Sequence, residues 1–373
     1  MTASPRDLLL IGAGHSHVAV LADWARNGLP FENATVLTPH PTLRYSGMVP
    51  GWISGEHSRE AGLVDIEGLA RAAGVELVLD RCAAIDPAAR SVLTREHGLR
   101  SFKTASIDVG GAGQAARVLG DDERLIDVRP IDRFVDRLAQ TLAQPLVRPL
   151  RIAVVGGGAG GVELAFALRN RHGASHAPAV TVLAGEDGVL PGFASAPRNK
   201  VRAEMERQNI ALINADARIE RGQLIASDRP IEADLIVAAI GSGAPDWPRM
   251  GGMEVDGAGF ILVDQHQRSL SHPHILAAGD CAARADTHVP HSGVHAVHTG
   301  PVLAANLRAL AKGTAPRRSY TPRRRTLYLL STGRGEAIAS YGGFAAQGRW
   351  VARLKAWIDT GWIAKYARIV GQP

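Results

Sequence analysis

A buried strand, a glycine-rich turn and a helix follow one another twice in this chain, about 145 residues apart, and no other feature constrains the fold as much. The first copy runs Leu8-Leu9-Leu10-Ile11, then Gly12-Ala13-Gly14, then His15-Ser16-His17-Val18-Ala19-Val20-Leu21. The second starts at Arg151-Ile152-Ala153-Val154-Val155 and places Gly156, Gly158 and Gly161 at full G-x-G-x-x-G spacing. A short uninterrupted apolar run followed by a tight turn and a helix is the pattern of a parallel strand buried on both faces. The helix that follows presents free N–H groups and the positive end of its dipole, and glycines let a bulky anionic diphosphate approach them. In that context the second copy is a dinucleotide fingerprint. The first departs from it, because His17 stands at the third glycine, whose task is close packing of helix on strand.

Further strands are expected at residues 34–37, 75–79, 91–93, 106–110, 180–183, 233–239 and 275–278, and a helix at 132–142. Residues 38–58, rich in Pro, Gly and aromatic side chains, read as an ordered loop. The expected fold is α/β, with two Rossmann-like (three-layer ββα/βαβ) dinucleotide-binding domains, the second inserted in the first, and a C-terminal region. The boundaries fall at 1–128 and 246–315 for the first domain, 129–245 for the second and 316–373 for the tail. A chain of 373 residues is too long for one ordinary core. Its 46% apolar and 21% charged content excludes intrinsic disorder. No apolar run is long enough to span a bilayer. Two cysteines, Cys82 and Cys281, exclude a disulfide scaffold and a Cys-rich zinc site. The opening Met1-Thr2-Ala3-Ser4-Pro5 leads almost at once into an apolar strand and leaves no room for a secretory leader, so a cytoplasmic location is expected.

Two dinucleotide sites in one chain imply two cofactors, and flavin with nicotinamide is the natural pair for a redox relay. The ribose acid usual after the second strand is missing from both units. Thr38 follows Leu37 in the first, and Ala184-Gly185 follows Leu183 in the second, with Glu186 two residues late. No arginine stands there to meet a 2′-phosphate, which favours NADH over NADPH. Gly241, past the 233–239 strand, joins Gly156, Gly158, Gly161 and Glu186 as the nicotinamide set.

The order of motifs resembles the two-dinucleotide-domain flavoproteins of the pyridine nucleotide–disulfide oxidoreductase superfamily. Within it the chain is similar to type II NADH dehydrogenases and sulfide:quinone reductases, and most to the flavoprotein fused in some organisms ahead of selenophosphate synthase. That likeness rests on Gly-Ala-Gly-His-Ser-His at 12–17, Ser-Gly-Met-Val-Pro-Gly at 46–51, Asp-Val-Gly at 108–110, and the run from Gly293 to Asn306. The resemblance implies FAD on the first unit, lined by Gly12, Gly14, His15, His17, Thr38 and Gly110. It places Tyr45, Ser46, Gly47, Met48 and Pro50 toward the isoalloxazine, and Gly279 with Asp280 at the ribityl chain. Asp280 reads equally as a turn or capping residue. Glu163 would lie near the flavin–nicotinamide junction, or be an ordinary first-turn acid favoured by the helix dipole.

Disulfide reductases of this kind carry a Cys pair beside the flavin, and neither cysteine lies in the 45–51 loop. A thiol relay needs an attacking and a resolving sulfur within reach, so disulfide reduction is rejected and sulfide oxidation with it. Type II NADH dehydrogenases carry Ala-Gln-x-Ala-x-Gln-x-Gly at the quinone end; at 293–300 both glutamines are replaced, by Val294 and His298. His298 or His295 offers a proton to a reduced acceptor there, against a plain structural reading in a chain with 14 histidines. His288, His291, His295 and His298 lack a matching Cys or acid, so no metal is expected.

The formal net charge of +6 is uneven: residues 316–373 carry eleven Lys/Arg against Glu336 and Asp359. Within that tail, residues 349–366 have apolar positions at near-helical spacing and three of the six Trp. Trp beside Arg and Lys suits a lipid headgroup zone. It suits equally a helix packed on the body or at a homodimer interface. No nucleic-acid motif accompanies the charge. The expected activity is FAD-dependent oxidation of NADH with electrons passed to a small acceptor, a quinone if the tail lies on the inner face of the membrane. The alternatives are a soluble flavoprotein reductase linked to selenium metabolism, and a flavin- or nucleotide-binding regulatory protein with little turnover.

Overall fold

The computed structural model describes residues 6–144, 148–171, 177–323 and 325–371; residues 1–5, Arg324 of the basic run and residues 372–373 lie outside them. Five parallel strands form the body of a seven-stranded first sheet, in the order Glu76–Leu79, Ala34–Thr38, Arg6–Ile11, Leu99–Ile107, Ile275–Ala277, and Leu99–Ile107 also continues into an antiparallel meander with Ser91–Thr94 and Cys82–Asp86. Leu8, Leu9, Leu10 and Ile11 are all buried because helices cover one face and an antiparallel meander the other. Burying each such side chain contributes about 1.5–3 kcal/mol before conformational entropy is counted. The register decides where the chemistry sits. Ile11 pairs with Ile107, and Ile107 with Ala277. Gly12, Asp108 and the 278–280 turn therefore leave the sheet side by side at one edge.

The second unit repeats the arrangement with Ala211–Ile213, Ala179–Leu183, Arg151–Val155, Leu235–Ala238 and Leu125–Asp127, all parallel. Leu125–Asp127 belongs to this sheet, so the chain crosses into the second unit ahead of residue 129. Val155 pairs with both Leu183 and Ala238, which brings Gly156, Ala184 and Ala239 to a common edge.

The 38–58 stretch is more regular than a loop. It holds a strand Thr42–Arg44 paired with Leu63–Asp65, a 3₁₀ turn Ser46–Met48 and a helix Val49–Ser54. Pro50 sits in the first turn of that helix, where its missing N–H is harmless, and Gly55 ends it at φ 84°. A three-stranded sheet across 327–348, which the sequence reading missed, precedes the expected helix Arg349–Ala367. Leu330 and Ile338 of that sheet join the core of the second unit, while Tyr366 and Trp362 of the helix join the core of the first. The tail is thus packed on the body and straps the two units together. Among the described residues no helix is long and apolar enough to cross a membrane.

Candidate functional site

Gly12 turns at φ +88°, and a Cβ there would lie 2.3 Å from the carbonyl oxygen of Asp108. The position therefore demands glycine on both backbone and steric grounds. His17 does not line the turn as expected; it is wholly buried beneath it. Its Nδ1 lies 2.6 Å from the Gly12 carbonyl oxygen and its Nε2 2.8 Å from the Ser106 hydroxyl. A carbonyl only accepts, so Nδ1 carries the proton and Nε2 accepts from Ser106. Burial pushes the ring down to about 4, against the hydrogen bond to Gly12, and it is neutral at pH 7. The first unit thus replaces close glycine packing by an imidazole that ties turn, helix and sheet together.

Asp108 lies beside it. One oxygen, Oδ2, accepts from the backbone N–H of Ser16 at 2.7 Å and of His17 at 3.0 Å. The first helix therefore has a carboxylate from another strand at its N-terminus. Asp280, next along the same sheet edge, accepts from Arg129 Nη2 at 3.1 Å through Oδ2. Its Oδ1 is buried without a partner, as is Nε2 of His15. Both residues border a cavity of about 490 Å³ that also takes in Gly12, Gly14, Thr38, Arg44, Ser46, Gly110 and Arg129. A wider cleft of about 930 Å³ shares its wall at Ala112, Arg129 and Pro130. Buried polar atoms seek partners, and a flavin dinucleotide fits those left open here. Hydroxyl donors suit the free oxygen of Asp280, and side-chain-free glycines with two arginines suit a diphosphate.

Of the 45–50 residues, only Ser46 borders this cavity. Tyr45 turns away and donates to Asp359 Oδ1 at 3.1 Å. Met48 and Pro50 are buried in local packing, and the Gly47 carbonyl accepts from Lys355 Nζ at 3.1 Å. The expected histidines also lie elsewhere. His295 Nδ1 is 2.6 Å from the Tyr320 hydroxyl, on a separate small cavity behind Gly279 and Asp280. His298, on the same helix Gly293–Ala311, borders neither cavity. His291 stacks on Phe260 with centroids 3.9 Å apart. Both cysteines are free. Burial raises the Cys82 thiol to about 12 and pushes Cys281 up as well.

Glu163 faces a cluster that the sequence reading did not anticipate. Its carboxylate accepts from the Ser331 N–H at 2.9 Å and lies 3.4 Å from Lys355 Nζ. Lys355 also donates to Asp359 Oδ2 at 3.0 Å. Burial opposes the charge of Lys355, but Glu163 and Asp359 outweigh it and raise the ammonium above its ordinary range. Burial raises Glu163, and the nearby ammonium limits the rise. Trp362, one helical turn beyond Asp359, stacks on Tyr45 and approaches His15 with centroids 5.4 Å apart. The tail helix thereby joins the 45–47 turn, the helix of the second glycine unit and the cavity wall.

At the second turn, a Cβ on Gly156 (φ +125°) would lie 2.3 Å from the Ala239 carbonyl, and one on Gly161 2.1 Å from that of Gly156. Here the third glycine does perform close packing. Gly158 caps the helix Ala159–Arg169 with open space beside it. Glu186 is exposed after the Ala179–Leu183 strand, and Gly241 turns at φ +88°. Arg198 reaches the same loop, with its donors on the carbonyls of Asp187 and Val189.

Residues 6–300 match the family described as Pyridine nucleotide-disulphide oxidoreductase. The NADH dehydrogenase-like protein YutJ of Bacillus subtilis is 25% identical over 291 residues, covering 74% of this chain and 77% of its own. Among solved structures, NDH2 from Plasmodium falciparum in complex with NADH superposes with a TM-score of 0.81 at 13% identity, covering 98% of this chain and 97% of that one. The sulfide:quinone oxidoreductase of Aquifex aeolicus gives 0.79 at 17% identity, covering 98% and 92%. These structural likenesses establish the fold.

Proposed function

This chain belongs to the pyridine nucleotide-disulphide oxidoreductase family, and from that premise we propose that it is an FAD-dependent NADH oxidoreductase that passes electrons to a quinone-like acceptor without a redox-active disulfide. The observation that carries the reading is Asp280, whose Oδ1 is buried and unpartnered beside the cavity and in register with the Gly12 turn. FAD, when bound, supplies the chemistry that takes reducing equivalents from the nicotinamide and hands them on.

The chain's own residues hold and tune. Gly12 and Gly14 open the approach, Arg44 and Arg129 offer positive charge, and Asp280 takes hydroxyl donors. Lys355, kept as an ammonium by Glu163 and Asp359, sets a fixed positive charge against the Gly47 carbonyl. Two thiols kept neutral at pH 7 supply no thiolate for a disulfide relay. NADH is favoured over NADPH because no arginine directly follows the Ala179–Leu183 strand, and Arg198, which reaches that loop, holds its Nε and Nη2 on the carbonyls of Val189 and Asp187. A quinone is favoured because the tail, basic in sequence, leaves Trp357 and Phe344 exposed, which suits the surface of an anionic membrane. A homodimer through the same residues is the competing outcome. The closer kinship with the flavoprotein fused to selenophosphate synthase, carried by residues 12–17, 46–51 and 293–306, belongs to this proposal too.

The test is an anaerobic titration of the purified protein with NADH. A flavin absorbance band that bleaches, and recovers on adding a soluble quinone, supports the reading. A flavin-loaded protein that stays oxidised under NADH removes it.

A further inference from the structure

The diphosphate of a dinucleotide ordinarily meets the N-terminus of the helix after the glycine turn. In the first unit that end of the helix His15–Asn27 already holds a carboxylate. Asp108 Oδ2 accepts from Ser16 N–H and His17 N–H, and the Asp108 carbonyl accepts from Gly14 N–H at 3.0 Å. The other oxygen is lodged between the two turns that flank the cavity. A Cβ on Gly14 would lie 2.3 Å from Asp108 Oδ1, and one on Gly279 2.4 Å from the same atom. Asp108 is 1% exposed and borders the cavity wall. A dianion seated in that cavity would share the helix N-terminus with a carboxylate whose own burial leaves their repulsion weakly screened.

Resting on the flavin reading above, we propose that Asp108 is a positioning residue that couples flavin dinucleotide binding to the uptake of one proton. The proton comes from solvent and goes to Oδ1. Oδ2 then continues to accept from Ser16 and His17, and the neutral acid no longer repels the diphosphate. Burial, opposed by those two N–H donors and reinforced by Asp280, already raises Asp108 to about 7 in the chain alone.

The other groups facing it do not produce this behaviour. His15 and His17 are pushed down to about 4, chiefly by burial, and are neutral from pH 6 upward. The Cys281 thiol is pushed up by burial and by Asp108 itself, and stays protonated. Asp280 is paired with Arg129.

The experiment uses the flavin-loaded protein. Holoprotein is diluted at a series of pH values from about 6 to 8.5, and released flavin is read by its fluorescence. Retention should be constant at the acid end. The dissociation constant should then rise above pH 7, approaching about tenfold per pH unit for one linked proton. Asp108→Asn should retain flavin at least as well and flatten that slope. A pH-independent wild type, or an Asn variant with the wild-type slope, overturns the coupling. Should the variant fail to fold, the wild type alone decides. Heats of FAD binding near pH 8, compared in buffers of different ionisation enthalpy, should show about one proton taken up per flavin; none taken up overturns the proposal. A preparation that stays colourless with added FAD overturns the flavin reading as well, which distinguishes the two failures.

Discussion

The indole of Trp362 stacks on the phenol of Tyr45 with ring centroids 4.5 Å apart and 23° between their planes. This contact joins residues more than 300 positions apart and closes the tail helix over the turn whose Ser46 borders the cavity beside Gly12 and Asp280. Trp362→Ala removes the stack, the approach to His15 and part of the packing among the helices of the first unit. For this half-buried side chain a stability loss of about 2–4 kcal/mol is expected, with faster flavin release, while Trp362→Phe should recover most of both. Urea unfolding and flavin fluorescence measure the two effects. Unchanged flavin release in the Ala variant would separate the tail from the site.

Lys355 neutralises two buried acids, so its removal should hurt more than the removal of either. Lys355→Met leaves Glu163 and Asp359 without their common cation, a change expected to destabilise by about 3–5 kcal/mol near pH 7.5. Glu163→Gln keeps the Lys355–Asp359 pair and should lose about 1 kcal/mol. The sign with pH follows from burial, which already raises Glu163. Without the ammonium that carboxyl rises further and takes a proton on acidification, so the Met variant's deficit should shrink between about pH 7.5 and 5.5. Urea midpoints at the two pH values check it. A deficit that grows on acidification contradicts this account.

Local pattern carried the sheet edges well, because the signal is local. Continuous apolar runs marked Leu8 to Ile11 and Ile152 to Val155 as buried strands, and the glycines marked where they end. What escaped the sequence is non-local. Lys355 reaches Gly47, and Tyr45 reaches Asp359, only after the tail sheet has docked on the second unit. The tail sheet itself was missed because residues 327–348 include few side chains in clean alternation. Asp108 follows a strand, as many turn acids do; only the register of Ile11 with Ile107 places it at a helix terminus. His17 looked like a flaw in the glycine pattern, and the Ser106 hydroxyl that completes its role lies 89 residues away.

His17→Gly restores the familiar glycine pattern and should nevertheless destabilise the protein. It leaves the Gly12 carbonyl and the Ser106 hydroxyl unpaired and opens a void where a fully buried ring stood. The expected loss is about 2–4 kcal/mol at pH 7.5. Native His17 is held at about 4, against an ordinary 6.5. The unfolded chain therefore binds a proton that the native chain refuses as pH falls from 6.5 toward 4. The stability that His17 lends is present above 6.5 and is lost through that window, an effect on the order of 3 kcal/mol. His15 acts in the same sense, and Asp108, protonated in the native chain up to about 7, in the opposite one. The difference between wild type and variant isolates His17, and it should narrow on acidification in thermal or urea melts. A constant difference across that range would mean the ring is charged in the native state.

The tail poses the question of what its outer surface meets. Its inner residues are committed: Asp359 and Tyr366 are buried, and Trp362 packs on Tyr45. Deleting the helix would strip both units of their strap and could not report on a membrane. The outer residues can be changed singly, since Trp357 is 73% exposed and Phe344 77%. An exposed indole gains by entering the headgroup zone of a bilayer, and nearby arginines gain from anionic lipid. Trp357→Ser and Phe344→Ser should therefore leave folding and flavin content unchanged, within about 0.5 kcal/mol, while reducing co-sedimentation with phosphatidylserine-containing vesicles. High salt should weaken the wild-type interaction as well, because the basic residues act through a screened field. If the substitutions leave vesicle binding untouched but convert a dimer to a monomer in sedimentation, these residues serve a second copy of the chain, and the membrane assignment of the acceptor goes with them.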